Sequence, residues 1–206
     1  MKILIFLLLC FYFSLSYAQQ LPIVKAQATQ KERYYDWMLE KPKPGDEGPD
    51  FWVTGDCSEF VNSPQASSTL ASQGKNSYQA KNIADDDPTT AWVEGKADYG
   101  IGEYIEFKTV FFYTCCILNG YQKDKNTWEN NSRVKKLRVF IEGKPIFEVI
   151  LEDKMGIQSF AFPEHLKIDP KKTETGGTKV KMQILEVYEG KKYKDVAISE
   201  IFFAGC

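Results

Sequence analysis

Val134-Lys135-Lys136-Leu137-Arg138-Val139-Phe140-Ile141, the turn Glu142-Gly143-Lys144-Pro145 and the run Ile146-Phe147-Glu148-Val149-Ile150-Leu151 decide the fold. Leu137, Val139 and Ile141 fall on one face of an extended chain, with Lys136 and Arg138 on the other. After the turn, Phe147, Val149 and Leu151 resume the same alternation. A period of two is the repeat of a strand, and one apolar face marks an antiparallel sheet packed on a core from one side. Working outward, Ile105 and Phe107 flank Glu106, and Val180, Met182 and Ile184 alternate with Lys179, Lys181 and Gln183. A last strand runs from Val196 to about Phe203. Short alternating runs broken by Gly, Asn, Asp and Pro predict an all-β antiparallel sandwich or barrel. No long helical pattern and no internal repeat interrupts this reading.

The N-terminus reads differently. Lys2 precedes an unbroken apolar run from Ile3 to Phe13, and Ser16-Tyr17-Ala18 follows. A basic start, an apolar stretch and small residues at −3 and −1 predict a secretory signal peptide over residues 1–18, cleaved to leave Gln19 first. The run is shorter than the roughly 20 residues of a spanning helix, so no membrane span is expected in the mature chain. Residues 19–55 read as an extension and linker: Thr29 to Leu39 could form a short helix, and Lys41 to Pro49 is a Pro- and Gly-rich connection. The domain proper then occupies residues 56–206, and the expected localisation is secreted, periplasmic or attached to a cell surface.

Four cysteines remain after cleavage: Cys57, Cys115, Cys116 and Cys206. In an oxidising compartment they favour disulfides, with three possible connectivities. Cys57 to Cys206 is the preferred pair, because it ties the ends of the domain and closes the longest loop. Cys115 and Cys116 are then free or joined to each other, the latter against the opposite directions of neighbours on a strand. Zinc is the weaker reading, since there is no CxxC pair and His165 is the single histidine.

Formal net charge is −2, with lysines interleaved among carboxylates, so no basic stripe is present for a nucleic-acid backbone. The sharpest local feature is Asn82-Ile83-Ala84-Asp85-Asp86-Asp87-Pro88-Thr89-Thr90-Ala91-Trp92. A loop dense in carboxylates suits Ca²⁺, which takes six to eight oxygen ligands. It equally suits a solvated turn in which Asp side chains cap local backbone groups. Glu200 shares a strand face with Ile198 and Phe202, and a carboxylate on an apolar face needs a partner.

Ala66-Ser67-Ser68-Thr69-Leu70, Tyr78 to Asn82, Asp85 to Trp92 and Ile198-Ser199-Glu200-Ile201 together resemble the discoidin superfamily of coagulation-factor C-type domains. Trp92 to Gly95, Gly102 to Ile105, Asn119-Gly120-Tyr121 and Arg133 to Leu137 look closer still to the glycan-binding translocation domain first known from streptococcal NAD glycohydrolase. The resemblance covers about Asp56 to Cys206. It implies a galactose-binding-like jelly roll and a structural Ca²⁺ in the acidic loop. By position, Asp85, Asp87, Thr90 and Glu200 would be the ligands, completed by backbone oxygens near Asn82. Asp86 departs from the family, where glycine is usual. The glycohydrolase activity belongs to a separate catalytic domain, for which these residues leave no room.

Trp92 is expected in the core rather than under a sugar. Better ligand candidates are Tyr99, Tyr121 and Trp128, with Arg133 beside them, because a sugar stacks an apolar face on a ring and pairs its hydroxyls with amides and charges. The stretch Lys123 to Asn131 mixes those groups and reads as a loop. Catalysis is hard to build: His165 stands alone, Gly176-Gly177 lacks a phosphate-loop continuation, and no carboxylate pair is singled out. The expectation is therefore an exported, non-catalytic protein that binds a glycan or glycoconjugate. An interaction module for a surface protein is the first rival and a glycoside-active enzyme the second.

Overall fold

A computed structural model describes residues 20–28, 58–110, 114–163, 166 and 176–204. The residues expected to form a signal peptide, the expected helix from Thr29 to Leu39, His165 and the expected pair of Cys57 with Cys206 lie outside these described residues. No helix among them is long and apolar enough to cross a membrane.

Two sheets face each other across one core. The first sheet contains β1 (Ile23–Lys25), β9 (Lys144–Ile150), β8 (Arg133–Ile141), β11 (Thr178–Tyr188), β6 (Tyr104–Thr109) and β4 (Asn62–Ala66), in that spatial order. The second runs β2 (Gln27–Ala28), β10 (Ile157–Ala161), β7 (Thr114–Asn119), β12 (Ala197–Ala204) and β3 (Ser58–Phe60), with β5 (Trp92–Val93) also paired to β12. The hairpin that opens the sequence reading forms as expected, pairing Leu137 with Val149 and Val139 with Phe147. Leu137, Val139, Phe147 and Val149 are fully buried, as the alternation requires.

The strands are held by a shared aromatic layer. Phe162 lies 5.2 Å from Phe147 and 5.3 Å from Phe203, ring centre to ring centre, so both sheets meet through it. On the outer face of the first sheet, Lys136 and Arg138 both pair with Glu148, and Lys179 pairs with Glu106. These cross-strand ion pairs occupy the polar half of each alternating run.

Residues 23–28, read from sequence as part of the extension, add an edge strand to each sheet. β1 runs parallel to β9, and β2 antiparallel to β10. Ala26 sits between them, buried in the core, and its N–H donates to the Ile150 carbonyl at 2.9 Å. One short segment thus covers one edge of each sheet, where unpaired backbone groups would otherwise face solvent.

Cys115 and Cys116 lie on β7 and are both free thiols. Burial pushes the Cys116 thiol up to about 12 and Cys115 well above its usual value, so both stay protonated. At the other side of this sheet, Ser58 pairs with Ala204.

Candidate functional site

The acidic loop is shaped by Asn82, whose side-chain amide donates to the Ser77 carbonyl (2.8 Å) and the Ala91 carbonyl (3.0 Å). Asp86 takes φ of +59°, the left-handed turn that glycine favours and that Asp tolerates. This lets the backbone reverse between Asp85 and Asp87. The Asp85 carboxylate accepts the Thr90 hydroxyl at 2.9 Å and the Asp87 N–H at 3.2 Å. The Asp87 carboxylate turns the other way, accepting both the N–H (2.9 Å) and the hydroxyl (2.6 Å) of Thr89.

Glu200, on β12, lies beneath this loop and is 3% exposed. Its Oε1 accepts the Asp87 N–H at 3.0 Å, whereas its buried Oε2 has no hydrogen-bond partner. Burial, then the Asp85 carboxyl beside it, push the Glu200 pKa up to about 9. A buried carboxyl in this state needs a proton or a cation. Among the described residues no three His, Cys, Asp or Glu side chains form a metal-ligating group on their own. The oxygens gathered here are two carboxyls, Asp85 and Glu200, with the Thr90 hydroxyl and loop backbone. That hard donor set and the orphaned Oε2 fit Ca²⁺. Asp87 meets Glu200 through its N–H, not its carboxylate.

A concave pocket of about 190 Å³ opens nearby among the loops. Tyr78, Tyr121 and Tyr193 form its aromatic lining, and Asn76, Asn131, Lys123 and Asp195 supply polar groups. Tyr78 packs edge-on against Tyr121 with ring centres 6.3 Å apart, over a small cluster of Ala91, Val93 and Ala197. Asp195 is half-buried, and that burial raises its pKa. Behind it, the fully buried Glu94 accepts the Lys96 N–H at 2.7 Å and the Val196 N–H at 3.3 Å.

The third ring, Tyr193, is 43% exposed but sits on a rigid support. The sequence read as a loop from Lys123 to Asn131 contains a helix, α1 (Lys125–Asn130), capped by the Asp124 carboxylate on the Thr127 N–H at 2.7 Å. The end of α1 receives the following segment through main-chain bonds. The Lys191 N–H donates to the Glu129 carbonyl (2.9 Å), and the Lys192 and Tyr193 N–H groups to the Asn130 carbonyl (3.1 and 2.8 Å). Gly190 makes this approach possible: a Cβ there would stand 2.4 Å from the Asn130 carbonyl oxygen.

Of the four ligand candidates read from sequence, Tyr121 alone lines the pocket. Tyr99 donates its hydroxyl to Glu189 at 2.8 Å, outside it. Trp128 turns inward, its indole N–H donating to the Asn119 carbonyl at 2.9 Å and its ring 4.6 Å from the Arg133 guanidinium. Arg133 is 6% exposed and holds Asp153 through two nitrogens, with Nη1 donating to the Asn131 carbonyl at 2.9 Å. Both residues brace the loops from within. A Cβ on Gly120 would meet both side chains at 2.6–2.7 Å, so the bracing depends on that glycine. Trp92 is fully buried as expected, donating its indole N–H to the Ser68 carbonyl at 2.9 Å. The sequence reading missed Asn76, Tyr78, Tyr193 and Asp195, which come from two segments far apart in the chain. Their one local signal was position in polar, Lys- or Asn-rich turns.

The family model described as the NAD glycohydrolase translocation F5/8 type C domain matches residues 56–204. No curated protein matches the chain. Among solved structures, the two CBM32 domains of Clostridium perfringens ZmpB in complex with GalNAc align with a TM-score of 0.56 and 10% identity, covering 93% of this chain and 42% of that one. The structure that adds the M60 catalytic domain of ZmpB aligns with a TM-score of 0.56 and 11% identity, over 93% of this chain and 17% of that one. The CBM32-5 domain of C. perfringens CpGH89, solved with GalNAc-β-1,3-galactose, gives 0.49 and 19%, covering 69% of this chain and 94% of that one. The chain thus spans less than half the length of the first of these. The likeness agrees with an all-β, discoidin-like jelly roll.

Proposed function

The chain belongs to the NAD glycohydrolase translocation F5/8 type C domain family, and from that premise we propose that it is an exported, non-catalytic glycan-binding protein. The observation that carries this reading is the pocket walled by Tyr78, Tyr121 and Tyr193 and furnished with Asn76, Asn131 and Asp195. Aromatic rings for its apolar face and fixed hydrogen-bonding groups for its hydroxyls are what a saccharide ring needs. Support for a sugar as ligand comes also from ZmpB, whose CBM32 domains were solved with GalNAc.

A glycan array followed by calorimetry tests the proposal. Tyr193→Ala removes an exposed ring from a backbone held by main-chain bonds, so affinity should drop about tenfold, the equivalent of roughly 1.4 kcal/mol, without a change in melting. An array without binding, joined to capture of a specific protein partner, would replace the glycan with a protein surface. Sugar hydrolysis by the purified chain, abolished by Asp195→Asn, would make it an enzyme.

Two further proposals concern the mature chain. A Cys57–Cys206 bond is supported by the pairing of Ser58 with Ala204, which sets the residues next to one cysteine and two short of the other opposite each other. Export is supported by the leader-like residues 1–18. Protein recovered after export should begin at Gln19, and alkylation in denaturant should label Cys115 and Cys116 but not the other two. Four labelled thiols would remove the disulfide, and an intact Met1 the cleavage.

A structural Ca²⁺ is proposed in the acidic loop, held by Asp85, Thr90 and Glu200 with loop backbone. Its contribution would be to neutralise the buried Glu200 and lock the loop; no binding step passes through it.

A further inference from the structure

We infer that the outer face of the second sheet is a docking surface whose occupant is the chain's own segment 29–57, laid across it as an apolar strap. The side taken by each residue of this sheet follows from the pairing of β7 with β12. Cys115, Ile117, Ile201 and Phe203 all belong to the core between the sheets. Phe203 lies opposite Cys115, and Ile201 opposite Ile117. Alternation along a strand turns their neighbours Cys116, Leu118 and Phe202 to the other side. Ile157 of β10 pairs with Leu118 and joins them there. This outer face is dry: Cys116 is 4% exposed, Phe202 2% and Leu118 1%.

The first sheet displays the opposite case. Its outer face carries Lys136, Arg138 and Lys179, paired with Glu148 and Glu106. A sheet face left to water holds polar residues of this kind, whereas thiol, aliphatic and aromatic groups need apolar cover. The acidic loop covers the outer side of the second sheet at Glu200, which pairs with Leu118. Cys116 and Phe202 lie two residues further along their strands, toward the end where β3 joins β12.

The order of the strands supplies the cover. β2 forms one edge of the second sheet and β3 the opposite edge, with β10, β7 and β12 between them. In sequence, β2 ends at Ala28 and β3 begins at Ser58. Residues 29–57, which lie outside the described residues, therefore pass from one edge to the other. Four strand intervals of about 4.8 Å make a crossing of roughly 19 Å, which about six extended residues span. The core fills the inner side, so the passage runs over the outside. The segment is far longer than the crossing needs, and it carries Tyr34, Tyr35, Trp37, Met38, Phe51 and Trp52. Burying those groups against Cys116, Leu118 and Phe202 removes apolar surface from water on both partners. The residues matched by the family model, 56–204, start after nearly all of this segment, so the cover comes from outside the family domain. A neighbouring domain or a second copy would find the face already taken.

The test reads the reactivity of Cys116 in the full chain under native conditions. Burial pushes this thiol up to about 12, so it reacts at neutral pH only once uncovered. A variant with the six named residues all replaced by serine keeps the length of the crossing and removes its apolar groups. N-ethylmaleimide should label Cys116 of this variant at least about tenfold faster than in the unaltered chain, as loss of a local protecting contact requires. Cys115, on the core side, should stay unlabelled, which separates an uncovered face from an unfolded chain. Equal protection of Cys116 in both chains overturns the inference. Because six changes at once can unfold a protein, a second measurement leaves the segment intact. Photoreactive p-benzoylphenylalanine takes the place of Ser159, which pairs with Cys116 on the same face. On illumination it should crosslink within one chain to residues 29–57. Crosslinks that spare those residues, or that join two copies, overturn the inference.

Discussion

Transfer from millimolar Ca²⁺ to chelator should lower the melting temperature by about 5–10 °C, and the variant Glu200→Gln should abolish the difference. The size follows from linkage: a ligand at a hundred times its dissociation constant stabilises by about 2.7 kcal/mol. In a chain of this length each kcal/mol moves the midpoint by roughly 2–4 °C. The mechanism lies in Glu200, whose buried Oε2 lacks a partner beside the Asp85 carboxyl. Without a cation the carboxyl must stay protonated in the folded state, with its pKa pushed up to about 9, while in the unfolded chain it titrates near 4.5. The group therefore contributes stability that is full below the unfolded value and is lost as pH rises through the folded one. In chelator, this group makes the protein firmer as pH falls from about 9 toward 5; with Ca²⁺ bound it adds no such dependence. A glutamine amide keeps an acceptor for Asp87 and brings a donor toward Asp85, with no charge to neutralise. Identical melting in Ca²⁺ and chelator, across that pH range, would discard the ion.

Trp92→Ala should cost about 3–5 kcal/mol, the range for truncating a large core aromatic. Trp92 is fully buried, belongs to the main core and donates to the Ser68 carbonyl, which the alanine would leave without its donor. Its strand also pairs with β12 at Ile198, two residues from Glu200, so the cavity opens beside the acidic loop. Denaturant unfolding gives the loss directly. The sugar affinity of the folded protein should remain, because the indole faces the core and not the pocket. Lost sugar binding at unchanged stability would make this tryptophan a stacking platform after all.

The sequence disclosed strands wherever burial is one-sided. Leu137, Val139, Phe147 and Val149 alternate with charges because those charges have solvent or each other to face. β7 gave no such signal: from Cys115 to Asn119 every residue is buried, so polar residues do not mark the second face. The edge strands at residues 23–28 were equally silent, being too short for a period to show. At the acidic loop the residue types marked a candidate place, and Asp86 as the odd turn residue, which takes the left-handed turn. They could not tell that the Asp87 carboxylate is spent on Thr89. The pocket was the least legible part. Trp128 and Arg133 have the right chemistry for a ligand, but their partners, Asn119 and Asp153, are fixed only by the folded chain. Tyr78 and Tyr193 become neighbours through the same topology.

The segment after β11 is anchored mainly by its amides, with the Lys191–Glu129 ion pair beside them: Gly190, Lys191, Lys192 and Tyr193 all hold the region of α1 through N–H groups. Any residue but proline can supply an N–H, so Lys192, Tyr193 and Lys194 are released from structural duty while Gly190 is not. On the proposed reading, a change at Tyr193 would alter what the pocket takes without endangering the fold.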